Sequence, residues 1–522
     1  MLLPPLNDDC CTIILSMLEA PDLAAMSRVS RVAPSYVRRW LARNINIAGS
    51  HGTHFVDHDI YHFISQYTLW PYIEVLRMTP RPEYKPSFSD YFARPENRSL
   101  VHDGMHLIAE VVEAAVNLRS FRMDALFGKF LERDPRLLIS LQHRSLLWEL
   151  QLNGLRRKDM DSLLANPISN LRCLRLEISE VVDVRDIFEV VCSSARTLEE
   201  ISISYRPGPH GSLTTRIGNG NLVSTYPRLQ RLLLHNITID PHGLLRAFPN
   251  LQTLKMDMQH DEEAPVILPA FVPESYINGT FCNPLPELRS IDGHSTLLAL
   301  PLHSNLQRLH IRQLTNSPEF FEELLRIMGC SPLISVSLCV RVRSPTEGSP
   351  LTHDTWPFTT SHVISTVANC IPLAQFLEFS FNWGRFRPGR ASGFSAKSCL
   401  KWTLSSDSAC SPLAALSNLR FVSFTVPTPS REYSETPPHM QDIADDLLCT
   451  LPTIKYLSMR SWGIYRRRVY FRRRKSSDGE TSSSESVRGN PAIEITCNEA
   501  HAAYLKYSWE ATDLKGWIIN EE

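Results

Sequence analysis

The sequence predicts an α/β chain made of short repeated units, each a strand followed by a helix, and three observations predict it. The first is the stretch Leu229 to Ile237, Leu-x-x-Leu-x-Leu-x-Asn-Ile. Its inner leucines stand two apart, so a strand through it buries one face and presents the other. The second is the return of that phase at Leu147-x-x-Leu150-x-Leu152, Leu171-x-x-Leu174-x-Leu176, Leu198-x-x-Ile201-x-Ile203, Leu251-x-x-Leu254-x-Met256, Leu306-x-x-Leu309-x-Ile311 and Leu333-x-x-Val336-x-Leu338. The third is what lies between: Asp183 to Ala195, Pro241 to Phe248, Pro318 to Gly329 and Gln441 to Leu451 are apolar at three- and four-residue steps, the spacing of a helix with one buried stripe.

A strand and a helix at this period are the signature of a leucine-rich repeat, and the expected architecture is an irregular solenoid, a horseshoe with inserted loops, over residues 48–464. Weaker copies extend it at Ile73-x-x-Leu76-x-Met78, Leu118-x-x-Phe121-x-Met123, Leu288-x-x-Ile291, Phe376-x-x-Phe379-x-Phe381, Leu419-x-x-Val422-x-Phe424 and Ile454-x-x-Leu457-x-Met459. Pro or Asn precedes many of the strand leucines, as in Tyr-Pro-Arg-Leu229 and Phe-Pro-Asn-Leu251. An ordinary α/β sheet with leucine-rich strands requires neither this constant phase nor this punctuation. Asn236 falls where a repeat needs a side chain to satisfy turning backbone groups. Stretches rich in Pro, Ser and charge at 79–104, 206–221, 259–286, 343–360, 382–412 and 427–440 fall between strands, where a solenoid tolerates insertion.

Before the repeats, residues 6–18 form a helix whose apolar arc, from Cys10, Cys11, Ile13, Ile14, Leu15, Met17 and Leu18, is too broad for one neighbour. Ala20-Pro21-Asp22 ends it and starts a second helix, with Pro and an acidic residue in the first turn. Pro34 begins a third, with Tyr36, Val37, Trp40 and Leu41 available for packing. Three helices in so few residues make a very small core, so the spare apolar face calls for another surface. On the helical wheel Cys11, Leu15 and Leu18 make one flank, Cys10, Ile13 and Met17 the other, and Ile14 lies between.

The stretch Leu6-Asn-Asp-Asp-Cys-Cys-Thr-Ile-Ile-Leu-Ser-Met-Leu18, followed by Pro21-Asp22-Leu23 and Val29-Ser30-Arg31, resembles an F-box. Leu6 and Asp9 stand at the family's leucine and acidic positions, and Asn7 stands where its proline usually is. Joined to the repeats, the chain resembles an F-box/leucine-rich-repeat protein of the fungal type. That resemblance implies a three-helix F-box-like domain over 1–47 that docks on a Skp-type adaptor of a cullin ubiquitin ligase, while the repeats bind a protein substrate. It also implies the adaptor contacts: Leu6, Cys11, Ile14, Leu15, Leu18 and Leu23. The alternative is a leucine-rich-repeat scaffold without ligase coupling, its N-terminal helices merely closing the solenoid.

The substrate-facing residues follow from alternation: Glu149, Gln151, Arg175, Ser202, Arg231, Leu233, Lys255, Arg308, His310 and Ser337 point away from the buried leucines, onto the expected concave face. Cations outnumber anions among them, which favours an acidic or phosphorylated protein segment. No Walker loop, GxSxG elbow or HExxH helix occurs, so the expectation is a non-catalytic protein with no cofactor. Gly218-Asn-Gly220 lacks the strand, turn and helix of a phosphate loop.

The net charge of -1 disfavours a general nucleic-acid binder, and 43% hydrophobic residues suffice for a substantial core. No run of eighteen apolar residues suggests a membrane span, and Asn7, Asp8 and Asp9 do not suit a signal peptide. The twelve cysteines form no CxxC pair and read as buried hydrophobes of a reducing compartment, cytoplasmic or nuclear. His51, His54, His58 and His62 read as a solvated helix face, so no metal site is expected. Near the end, Arg466, Arg467, Arg468, Arg472, Arg473, Arg474 and Lys475 open a basic and Ser-rich stretch, 465–490. It reads as a disordered, solvated loop, and as a nuclear-import signal in the sharper reading. Residues 491–522 recover apolar character and suggest a C-terminal cap over the last repeat.

Overall fold

A computed structural model describes residues 8–18, 20–28, 33–48, 64–66, 68–79, 107–124, 127–180, 182–206, 215–216, 224–238, 244, 246–257, 285–294, 297–298, 305–313, 318–341, 360–382, 412–427, 438–462, 468–473 and 492–508. Three helices come first: α1 (Asp8–Met17), α2 (Ala20–Met26) and α3 (Ala33–Leu41). Each gives one residue to a small buried core of Leu15, Leu23 and Val37, and Leu18, Met26, Trp40 and Leu41 pack against it.

The strand β1 (Asn44–Ala48) pairs in parallel with β2 (Val75–Thr79), so residue 44 already belongs to the repeat sheet. The expected boundary at 47 therefore moves to about residue 43, where the Arg43 carbonyl accepts from both the Glu74 and the Val75 N–H. That forked bond at strand entry recurs. The Glu74 carbonyl takes the N–H groups of Arg119 and Ser120, and the Arg420 carbonyl takes those of Lys455 and Tyr456.

The described residues fall into two compact units, the first ending at Leu251 and the second starting at Gln252. The first unit continues with β3 (Ser120–Met123), helices α4 (Phe127–Arg133) and α5 (Arg136–Gln142), β4 (Glu149–Leu155), α6 (Arg157–Ala165), β5 (Cys173–Ile178), α7 (Val184–Val190), β6 (Glu200–Tyr205) and β7 (Arg231–His235). Strands β1 to β7 pair in parallel and in the order of the sequence. The repeat phase is the register: Leu76, Phe121, Leu150, Leu174, Ile201 and Leu232 are partners in a row, each at most 2% exposed.

The punctuation has a matching explanation. The Asn before one strand leucine donates to the carbonyl of the Pro before the previous one: Asn117 to Pro71 at 2.7 Å and Asn250 to Pro227 at 2.7 Å. Asn305 and Pro286 repeat the bond in the second unit at 2.9 Å. Asn236 turns the backbone at φ 57° and donates to the Tyr205 carbonyl at 3.0 Å, the role its position suggested. Asp183 caps α7 by accepting from the Arg185 N–H at 2.9 Å.

The second unit contains β8 (Thr253–Asp257), β9 (Ser290–His294), β10 (Arg308–Gln313), α8 (Pro318–Cys330), β11 (Ser335–Arg341), α9 (Thr360–Cys370), β12 (Phe376–Asn382), β13 (Phe421–Pro427), α10 (Pro438–Thr450), β14 (Tyr456–Trp462), β15 (Arg468–Arg473), β16 (Ala492–Glu494) and α11 (Cys497–Ser508). Strands β8 to β14 are parallel, whereas β15 and β16 add on antiparallel. Leu254, Ile291, Leu309, Val336, Leu377, Val422 and Leu457 form the inward row.

Three expectations are corrected here. The copy written as Phe376-x-x-Phe379-x-Phe381 is out of phase by two. Val336 pairs with Leu377 and Leu338 with Phe379, so the true copy is Ala374-x-x-Leu377-x-Phe379, and Phe376 lies on the opposite face. Apolar residues on both faces of β12 hid the alternation.

The basic stretch is not a solvated loop between 468 and 473. It is a strand whose Val469 and Phe471 are buried and pair with Met459 and Leu457. Arg473 donates to the Leu448, Leu451 and Ile454 carbonyls, at 2.8 Å to Leu451 and 3.0 Å to Ile454, and so satisfies the carboxyl end of α10. Arg466, Arg467, Arg474 and Lys475 lie outside the described residues, as do the four clustered histidines and Gly218-Asn-Gly220.

The C-terminal cap is also rearranged. The antiparallel β15 and β16 close the end of the sheet, while α11 packs across β11, β12 and β13.

Candidate recognition surfaces

On α1 the outward residues are Met17, 77% exposed, Ile13, 54%, and Ile14, 42%, with Cys10 exposed beside them. Ile14 thus faces out as expected. Leu15 and Leu23 do not: they are core residues, and Leu18 packs against that core. Leu6 lies outside the described residues, as does the side chain of Cys11. Both flanks of α1 are equally apolar, so the wheel could not order them; Val37 of α3 meets Leu15 and turns the Cys10, Ile13 and Met17 flank outward.

In the first unit, the strand face opposite the leucines is joined by ion pairs. Glu149, 4% exposed, accepts from Ser120 Oγ and Arg122 Nη2, each at 2.7 Å. Glu200 is shared between two guanidiniums: Arg175 reaches Oε1 at 2.9 Å and Arg231 reaches Oε2 at 3.0 Å. Gln151 donates to Asp124 at 2.7 Å. Cys173 lies in the same row, and burial first, then the nearby Glu200 carboxylate, pushes its thiol up to about 12, so it stays protonated and unreactive. The expected residues Glu149, Gln151, Arg175, Ser202, Arg231 and Leu233 do share this face. The expected cations Arg175 and Arg231 are already engaged by Glu200, so they offer a partner less free positive charge than the residue types suggested.

The second unit carries a denser cluster. Asp292, 4% exposed, accepts from Arg312 Nε at 2.7 Å, with Arg308 Nη2 at 3.4 Å and Lys255 Nζ at 4.0 Å. Burial alone would push its carboxyl up. Arg312, Lys255 and Arg308 more than reverse this and hold it well below the usual carboxylate range. His310 is buried beside it. Arg308 Nη2 donates to His310 Nδ1 at 3.1 Å, which leaves the ring proton on Nε2 to bond Ser335 Oγ at 2.8 Å. Burial, then the Arg308 charge, lowers the imidazole pKa well below its ordinary value, in keeping with that neutral tautomer. Sequence reasoning placed Lys255, Arg308 and His310 on this face but missed Asp292 and Arg312, which the same phase locates.

Beyond Ser335 the face turns aromatic. Phe376, Phe421 and Tyr456 hold one register on three adjacent strands. Phe376 and Phe421 are at most 1% exposed because α11 covers them. Tyr504 stands edge-on to Phe376 at 5.3 Å and to Phe421 at 6.1 Å, and Tyr507 meets Tyr456 at 6.0 Å. Arg472 of β15 donates to Glu499 at 2.7 Å. None of these contacts was anticipated, although aromatic residues at presented positions of three successive strands were a readable signal. Further along, Ser337 and Ser423 both donate to Glu378, at 2.8 and 3.0 Å.

Among the described residues no group of three or more His, Cys, Asp or Glu is arranged to hold a metal ion, and no helix is long and apolar enough to cross a membrane. No family model matches the chain, and no curated protein matches it. Among solved structures it is similar to the Rad7 and Elc1 complex in yeast, with 14% identity and a TM-score of 0.35 over 84% of this chain and 97% of that one. It is also similar to the leucine-rich repeat-containing protein LegL7 from Legionella pneumophila, with 10% identity and a TM-score of 0.21 over 81% of this chain and 92% of that one. Likenesses of this degree transfer neither partner nor function.

Proposed function

We propose that the chain is a non-catalytic substrate receptor of a cullin-type ubiquitin ligase. Its N-terminal helices dock on a Skp-type adaptor, and its repeat region holds the protein to be modified. The observation that carries this reading is the apolar outward flank of α1, Cys10, Ile13, Ile14 and Met17, on a three-helix unit whose other flank already has its own core. A contiguous apolar patch on so small a unit marks an interaction site. Its place in the stretch that resembles an F-box supplies the partner. The receptor supplies proximity, and the bond-forming chemistry belongs to the rest of the ligase.

The test is capture from cells with the full chain. Ile13→Asp with Met17→Asp should lose the Skp-type adaptor and the cullin together, while melting stays unchanged because both residues already face water. Leu15→Asp should lose them only by unfolding the helices. Full capture by the first variant overturns the docking surface, and failure of the unmodified chain to bring down either partner leaves a recognition scaffold without ligase coupling.

A further inference from the structure

Helix α11 makes its contacts on one stripe. Ala500, Ala503, Tyr504 and Tyr507 stand at i, i+3, i+4 and i+7; the alanines are buried and the tyrosines half-buried, while His501, Ala502 and Lys506 are exposed. The surface that receives the stripe is aromatic where the equivalent positions of the preceding strands are not. Inward positions Leu377, Val422 and Leu457 already fill the core of these strands, and equivalent presented positions elsewhere carry Ser335 and Ser290. The attachment is light. Helix α8 buries Phe321, Leu324, Ile327 and Met328, whereas α11 buries Ala500, Ala503 and Ser508, and its ion pair among the described residues, Glu499 with Arg472, is more than a third exposed on both sides.

We propose that the row Phe376, Phe421 and Tyr456 is a recognition site for a short amphipathic helix of another protein, and that α11 is its resident occupant, displaced when that partner binds. The chemistry of the partner helix is that of the stripe: two small residues one turn apart to let the helix approach the two phenylalanines, aromatic residues following them, and a carboxylate immediately before the first small residue to meet Arg472. This is helix-in-groove recognition, read by side chains at helical spacing. It goes beyond the ligase reading and stands without it, since no residue of α1 takes part.

The probe is a fluorescent synthetic peptide of residues 497–508, titrated against full-length protein and followed by anisotropy. Ala503→Glu places a charge against Phe376 and Phe421 and releases the resident helix. The peptide should bind this variant at least about tenfold more tightly than it binds the unmodified chain, in which the site is mostly taken. Adding Phe421→Ala should abolish the binding. Equal affinity for both chains, or no affinity for the Ala503→Glu chain, overturns the proposal. A companion measurement needs no variant: in the unmodified chain, amides of 497–508 should exchange with solvent at least about tenfold faster than those of 421–427. Equal exchange makes α11 an integral part of the fold and overturns it as well.

Discussion

The two units present the same strand face with opposite chemistry. In the first, carboxylates shared between guanidiniums tie neighbouring strands, as Glu200 ties Arg175 and Arg231. In the second, a buried charge cluster around Asp292 gives way to an aromatic row under a helix of the same chain. Register and inward leucines are common to both, so the pairing of the strands does not depend on which chemistry the other face carries. The difference teaches that the alternate residues of a repeat strand carry the fold, which leaves the presented ones free to specialise.

The largest effects come from emptying each face at its centre. Phe421→Ala should cost about 3–5 kcal/mol in urea denaturation, since a fully buried ring is lost from beneath α11. Glu200→Ala should cost about 3 kcal/mol, because it strands two largely buried guanidiniums without their carboxylate. If Glu200→Ala were neutral, the ladder on the first face would be ornament, and the contrast between the faces would fail.

Arg473→Ser sharpens the contrast at the sheet's end. A solvated basic run would tolerate the change, but losing a residue that satisfies two carbonyls at the end of α10 and a third before β14 should cost about 1–3 kcal/mol. The alternation Arg468-Val469-Tyr470-Phe471-Arg472 was visible in the sequence as a period-two strand. The charge density of the flanking arginines masks that pattern.

Other parts were legible for a physical reason. The leucine phase is the pairing register, and Asn before a strand leucine bonds the preceding Pro, so both can be read from spacing alone. The copy at Leu288 looked incomplete because it ends in Gly293, where a Cβ would fall 2.1 Å from the Met256 carbonyl. What could not be read was orientation. Equal apolar flanks left α1 without a direction until Val37 was placed against Leu15, and nothing local says that residues 497–508 return to lie on β12 and β13.

Smaller effects test the charged cluster. His310 is held neutral, with a folded pKa below that of the unfolded chain, by burial and by Arg308 beside it, against the opposing pull of Asp292. As pH falls below about 6.5 the unfolded chain takes up a proton that the folded chain does not. Stability should therefore decline, by at most about 1.4 kcal/mol per pH unit from this group, and the penalty is absent above that range. His310→Gln, which can still donate to Ser335, should remove that part of the slope in denaturation curves from pH 7.5 to 5. The smallest effect belongs to Glu499→Gln, about 0.5 kcal/mol, because its pair with Arg472 is exposed and screened.

The contrast between the two units turns on α11 lying against the aromatic row. A double-mutant cycle between Phe421→Ala and Tyr504→Ala in the full chain measures that contact without assuming its strength. The expected coupling is about 1 kcal/mol, the size of a packed aromatic pair, and additive losses with no coupling would contradict the placement of the helix.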